Sequence, residues 1–163
     1  MRISILLLLC CASLCLQAQY QFDETVFIPL KEGELEQWKI EHQQTTQNGI
    51  SSTRYIPSSE TTNNWTKLLN IKFHDRSLLH VNTALEAMQQ EQTSSPRVLC
   101  SVLNQHPNDL TYERAFPTGE HELVRMIMTK KGLHRISYVK RGPFDQEERN
   151  YWLDRLMSSV VGK

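Results

Sequence analysis

Past residue 18 the chain carries a single cysteine, Cys100, because Cys10, Cys11 and Cys15 all fall in the first 18 residues. If that segment is removed, no intramolecular disulfide can form and the fold stands on packing alone. Glycine is scarce, and the six present read as turns or element ends. Neither a Gly-rich phosphate loop nor a Gly-x-Ser-x-Gly elbow occurs, which excludes the two commonest glycine-dependent sites. Excess charge of one sign is missing too: without Arg2 there remain 17 basic residues against 18 acidic ones. That balance gives no electrostatic case for nucleic acid or an anionic membrane as a partner. After the start of the chain, no apolar run approaches the roughly 20 residues a membrane-spanning helix needs.

What the first 18 residues do have is the three-part pattern of a secretory signal peptide. Arg2 supplies the charge, Ile3 to Leu16 an apolar run, and Ala18 the small residue before a cut that leaves Gln19 first. The run is too short for a retained anchor and no basic cluster follows it. Lipid attachment is disfavoured at Cys10, Cys11 and Cys15, since none has a small residue before it and an aliphatic one three back. The reading is residues 1–18 as signal peptide and 19–163 as one α+β domain. It implies export to the periplasm or the extracellular medium of a Gram-negative bacterium, with no membrane anchor after cleavage. The 145 remaining residues are enough for a real core.

Within the domain the hydrophobic pattern changes period. Asn48-Gly49 suits a tight turn that pairs Trp38–His42 with Arg54–Ile56. Leu69, Ile71 and Phe73 alternate with polar residues as in a half-buried strand. From about Ser77 the spacing of Leu78, Val81, Leu85 and Met88 predicts a helix ending before Pro96. Val98 to Leu103 is apolar on both faces and predicts a central strand, with Leu110–Phe116 returning beside it. The hairpin His121–Lys140 is expected to turn over Lys130-Lys131, with Gly132 left-handed and a bulge placing Met126 opposite Ile136. Asp145 to Glu148 resembles a capping box, Trp152, Leu153 and Leu156 give the next helix its buried stripe, and Gly162 sits where a helix stops. The expectation is a single antiparallel sheet of six or seven strands with two amphipathic helices packed on it.

The chemistry-bearing residues are scattered. His121-Glu122-Leu123-Val124-Arg125 starts like a zinc-protease motif but lacks the second histidine, so Glu122 and Arg125 are expected as surface charges. His74-Asp75-Arg76 is expected to be a helix-capping connection, and Cys100 a core cysteine rather than a thiol activated by His106 or His134. No metal or cofactor is implied.

Asn63-Asn64-Trp65-Thr66, Leu110-Thr111-Tyr112-Glu113, His121 to Arg125, Leu133-His134-Arg135-Ile136-Ser137-Tyr138 and the closing Glu147 to Trp152 helix together resemble a set of small, uncharacterised exported proteins of proteobacteria. The order of elements is also similar to the PsbP/Mog1-like α+β sandwich. These resemblances carry no mechanism. Two functions are then to be weighed. One is a non-enzymatic accessory or binding protein that meets another envelope or extracellular protein through a free sheet face or through the polar hairpin near Asn48, with the paired aromatics Trp38 and Tyr55 beside it. The other is a hydrolase or metal-dependent enzyme with His74, Glu113, His121 and His134 assembled across strands.

Overall fold

The computed structural model describes residues 15–18, 24–47 and 49–162, the first four by their backbone alone. Most of the expected signal segment, with Gln19 and Asn48, lies outside the described residues. Among the described residues are ten strands and two α-helices. They are β1 (Cys15–Ala18), β2 (Thr25–Pro29), β3 (Trp38–Thr45), β4 (Ile50–Pro57), β5 (Lys67–Asp75), α1 (Ala84–Ser94), β6 (Leu99–His106), β7 (Asp109–Ala115), β8 (Glu120–Met128), β9 (Gly132–Arg141), α2 (Gln146–Ser158) and β10 (Val160–Gly162).

Seven strands form one antiparallel sheet in the order β3-β4-β5-β9-β8-β7-β6, and β2 sits between β1 and β10 in a second, small sheet. The chain is α+β as expected, but the sheet is not single. The second sheet arises because Val26 and Ile28 are too apolar to stay in solvent. Both are fully buried against the large sheet and α2.

The large sheet is covered on both faces. On one, Leu69, Ile71, Phe73, Leu123, Ile136 and Tyr138 pack under Trp152 and Leu156 of α2 and under β2. On the other, Leu110, Tyr112, Val124, Met126 and Leu133 pack under Ala84, Ala87 and Met88 of α1. The strand in the middle, β9, is buried at every position from Gly132 to Tyr138.

That double coverage explains why the hairpin register differs from expectation. Val124 pairs with Ser137, Met126 with Arg135 and Met128 with Leu133, one residue from the bulged register. The loop is a tight turn closed by Thr129 N–H donating to the Gly132 carbonyl at 2.8 Å, and Gly132 has no positive φ. Alternation of apolar and polar residues selects a register only where one face is wet. Here Arg135 and Ser137 are buried among apolar neighbours, and Glu122, expected at the surface, is buried as well.

Other boundaries moved for local reasons. The β3–β4 hairpin pairs as expected, Lys39 with Ile56 and Ile40 with Tyr55. The Val98–Leu103 tract forms the edge strand β6 instead of a central one, with Leu99 75% exposed. Asp75 caps only a short 3-10 turn, Arg76–Leu78, accepting from Ser77 N–H. Helix α1 starts later, where the Thr83 hydroxyl accepts from Glu86 N–H and Glu86 accepts from Asn82 N–H. Asp145 caps α2 as expected, but Gly162 belongs to β10 instead of ending the helix.

Candidate functional site

The first turn of α2 faces the end of β5 and β9 where Lys67 and Lys140 stand directly opposite each other. Two like charges across a ladder repel, so this end of the sheet needs an anion between them. Glu148 supplies it. Its carboxylate accepts from Lys67 Nζ at 2.9 Å, from Tyr138 Oη at 2.6 Å and from Lys140 Nζ. Burial alone pushes the Glu148 carboxyl up, but the hydrogen bonds from Lys140, Tyr138 and Lys67 outweigh it and hold the group at about 2. Burial, reinforced by that same carboxylate, drives the Tyr138 phenol far above its ordinary value. The capping-box reading assigned Glu148 to the helix backbone. In the folded chain the side chain turns to the sheet, because two lysines and a phenol outbid one amide.

Above this clamp opens a cleft of about 780 Å³, lined among others by Lys31, Glu34, Trp38, Glu60, Glu147 and Tyr151. Its aromatic floor is rigid. Tyr138 stacks on Trp152 with centroids 4.2 Å apart, and Trp38 meets Trp152 edge-on at 5.6 Å. Tyr151 is edge-on to Trp152 at 5.6 Å and donates its hydroxyl to Glu34, while Lys31 Nζ lies 4.6 Å from its ring centroid. On the opposite wall Glu60 accepts from Thr66 N–H at 2.6 Å and from the Thr66 hydroxyl at 2.5 Å, fixing the β4–β5 connection. Three lysines and six carboxylate residues line the cleft, so its formal charge is negative.

Of the two aromatics expected to bind, only Trp38 lines this cleft. Tyr55 lies in the core under α2 at 4% exposure, and burial pushes its phenol up to about 12. Trp38 and Tyr55 are therefore not a surface pair. Each face of the central sheet carries a helix over part of its width.

The four residues weighed as an enzymatic set do not meet. His74 is on the α1 face, where its register partner is Leu133. Glu113 lies on the other face and pairs with Arg149 at 2.8 Å. His121 is edge-on to the Phe144 ring at 5.9 Å. His134 is fully buried opposite Ile127, with Nε2 2.9 Å from the Glu24 carboxylate. Six residues of β8 separate Ile127 from His121, roughly 20 Å at about 3.4 Å per residue. Among the described residues no three His, Cys, Asp or Glu side chains are grouped to hold a metal ion. Cys100 is half-buried rather than a core residue, its Sγ 3.9 Å from Met88 Sδ, and burial pushes the thiol up, away from nucleophilic character.

A second polar assembly was also missed. On the α1 face Arg135 forks onto Glu122, with Nη1 3.0 Å and Nη2 3.1 Å from the carboxylate, and its Nε donates to Glu91 at 2.9 Å. Arg114 Nη1 reaches Glu91 at 3.1 Å and Glu122 at 3.4 Å, and Tyr112 donates to Glu91 at 3.0 Å. Two arginines and two glutamates thus cancel under α1. The available signal was a charged residue inside each of three strands too apolar to be half wet: Arg114, Glu122 and Arg135.

No family model matches the chain, and a search of curated proteins finds no match.

Proposed function

We propose that this is an exported, non-enzymatic binding protein, and that the cleft beside α2 receives a basic segment of another envelope or extracellular protein. The observation that carries the reading is the saturation of Glu148. Its oxygens are taken by two ammonium groups and a phenol, its pKa is held at about 2, and Tyr138 is pushed up. Neither group exchanges a proton near neutral pH, so the deepest polar pair of the cleft is built for rigidity rather than acid–base work. The rim supplies recognition: Glu32 and Glu147 are exposed and carry negative charge, beside the half-buried Trp38 ring. Carboxylates beside aromatic rings suit a lysine or arginine side chain, through ion pairing and cation–π contact.

Export rests on residues 1–18 and on the resemblance to exported proteobacterial proteins. Fractionation of cells and medium, with mass measurement of the recovered chain, tests it. A chain beginning at Gln19 in the periplasm or medium is the expected result, and a cytosolic chain retaining residues 1–18 overturns it. The cleft is tested by placing a photocrosslinker at position 37, an exposed lining residue, in the native envelope. Crosslinks should be lost in Trp38→Ala and should weaken with salt. Failure to crosslink any protein, or crosslinks indifferent to Trp38, would remove the cleft from consideration.

A further inference from the structure

The α1 face holds a second, smaller cavity of about 370 Å³, at the lower end of the roughly 300–1,000 Å³ range of small-ligand sites. Its walls are of two kinds. Leu79, Val81, Met126 and Leu133 make an apolar side, while His74, with Arg135 beside it, makes a polar one. Arg135 and Arg114 are already neutralised by Glu91 and Glu122. Lys72 is a further cation of this face, beside the cavity although not itself part of its lining. Lys72 stands directly opposite Arg135 across the β5–β9 ladder and two residues from His74 on the same side of β5. Neither the Lys72 ammonium nor the His74 imidazole makes a hydrogen bond or ion pair with any described residue. The ammonium is half-buried and repelled by Arg135, which together push its pKa down. Holding an unpaired cation there costs stability that an anionic partner would return.

We propose that this cavity binds a small amphipathic carboxylate, its head between Lys72 and His74 and its apolar tail against Leu79, Val81, Met126 and Leu133. The charge balance selects the head group. Glu91 is among the residues that line the cavity, so a single carboxylate meets less repulsion there than a phosphate dianion would. The apolar wall selects the tail, since the polar rim alone would hold an inorganic anion as well. The site lies on the opposite face of the sheet from the α2 cleft and does not depend on that cleft's function.

The test uses the full mature chain and three probes: octanoate below its micelle concentration, 1-octanol and inorganic phosphate. Calorimetry and the His74 imidazole NMR signals report binding. Octanoate should bind at one site with a shift of the His74 signals. Affinity should fall at least tenfold in Lys72→Met, hold in Lys72→Arg, and be unchanged in Lys130→Met, which removes an exposed turn lysine. Melting curves of each variant confirm that the fold persists. Equal binding of octanol overturns the role of the head group, and phosphate binding in preference to octanoate overturns that of the tail. An octanoate titration that leaves the His74 signals unmoved overturns the site.

Discussion

Gly132 illustrates how a residue's necessity can come from crowding instead of backbone angle. A Cβ built there would lie 2.1 Å from the His74 carbonyl oxygen and 2.8 Å from the Phe73 ring. Gly132→Ala should therefore cost about 1–3 kcal/mol, the range for overpacking a filled site, read as a lowered urea midpoint at unchanged slope. A change under 0.5 kcal/mol would show that β5 yields easily at this point. Glu122 is a second residue whose removal is informative. Glu122→Ala leaves Arg135 buried without its forked partner and should destabilise by about 3–5 kcal/mol, again by denaturant titration. Neither role was visible in sequence. Gly132 sits in a turn that any left-handed glycine would explain, and Glu122 stands in a motif that fails chemically. Trp38, singled out for its place beside a polar hairpin, does line the α2 cleft. Tyr55 was misplaced because an adjacent pair on facing strands need not share the same exposure.

At the scale of elements, the carboxyl end of α2 is held by one side chain of β8. Arg125 Nη1 donates to the carbonyls of Leu156 at 2.8 Å, Met157 at 2.9 Å and Ser159 at 2.6 Å. Its other nitrogens grip Asp109 at 2.9 and 2.7 Å. The guanidinium thus satisfies carbonyls that a helix end leaves orphaned and complements the negative pole of the helix. Arg125→Met should cost about 2 kcal/mol, as expected for charged hydrogen bonds. Amide exchange should accelerate in the last turn of α2 and in β10, while the first turn under Asp145 is unaffected. Uniform acceleration along α2 would contradict a local clamp. Element existence was largely readable, because β5 alternates cleanly and α2 carries both a cap and a stripe. Register and rank in the sheet were not. The apolar tract of β6 looks central, yet an edge strand can be equally apolar when one of its faces packs on a helix.

For the whole molecule, acid stability follows from groups whose pKa is depressed in the folded chain. Burial pushes His134 down against the opposing pull of Glu24, and burial with the Lys72 charge pushes His74 down. Both stay neutral when folded and take up protons when unfolded, so stability falls as pH drops below about 6.5. Burial opposes ionisation of Glu122 and Glu148, but Arg135 and Arg114 hold the first down, and the hydrogen bonds to Glu148 hold the second at about 2. Their contribution is complete above about 4.5 and is lost as pH falls through their depressed folded-state values, about 2 for Glu148. Urea midpoints between pH 8 and pH 2 should thus fall in two legs. His74→Gln should flatten the upper leg and Glu148→Gln the lower. A single leg starting near pH 4.5 would rule out the histidine contribution.

The strand order also divides the sheet into two runs of neighbours, β3-β4-β5 and β6-β7-β8-β9, that meet only along β5 and β9. Each run closes short loops, whereas the seam joins Asp75 to Gly132 and Lys67 to Lys140 across the whole α1 excursion. Closing that long loop carries the largest entropic cost in the sheet, so the seam should set the folding rate. In chevron kinetics Ile71→Val, at the seam opposite Ile136, should mainly slow folding. Ile56→Val, buried at 1% exposure in the outer hairpin, should mainly speed unfolding. The reverse pattern would place the nucleus in the hairpin. A chain that must wait for its seam exposes two half-sheets meanwhile, each with an unpaired edge, and export as proposed above would place that stage after translocation rather than before it.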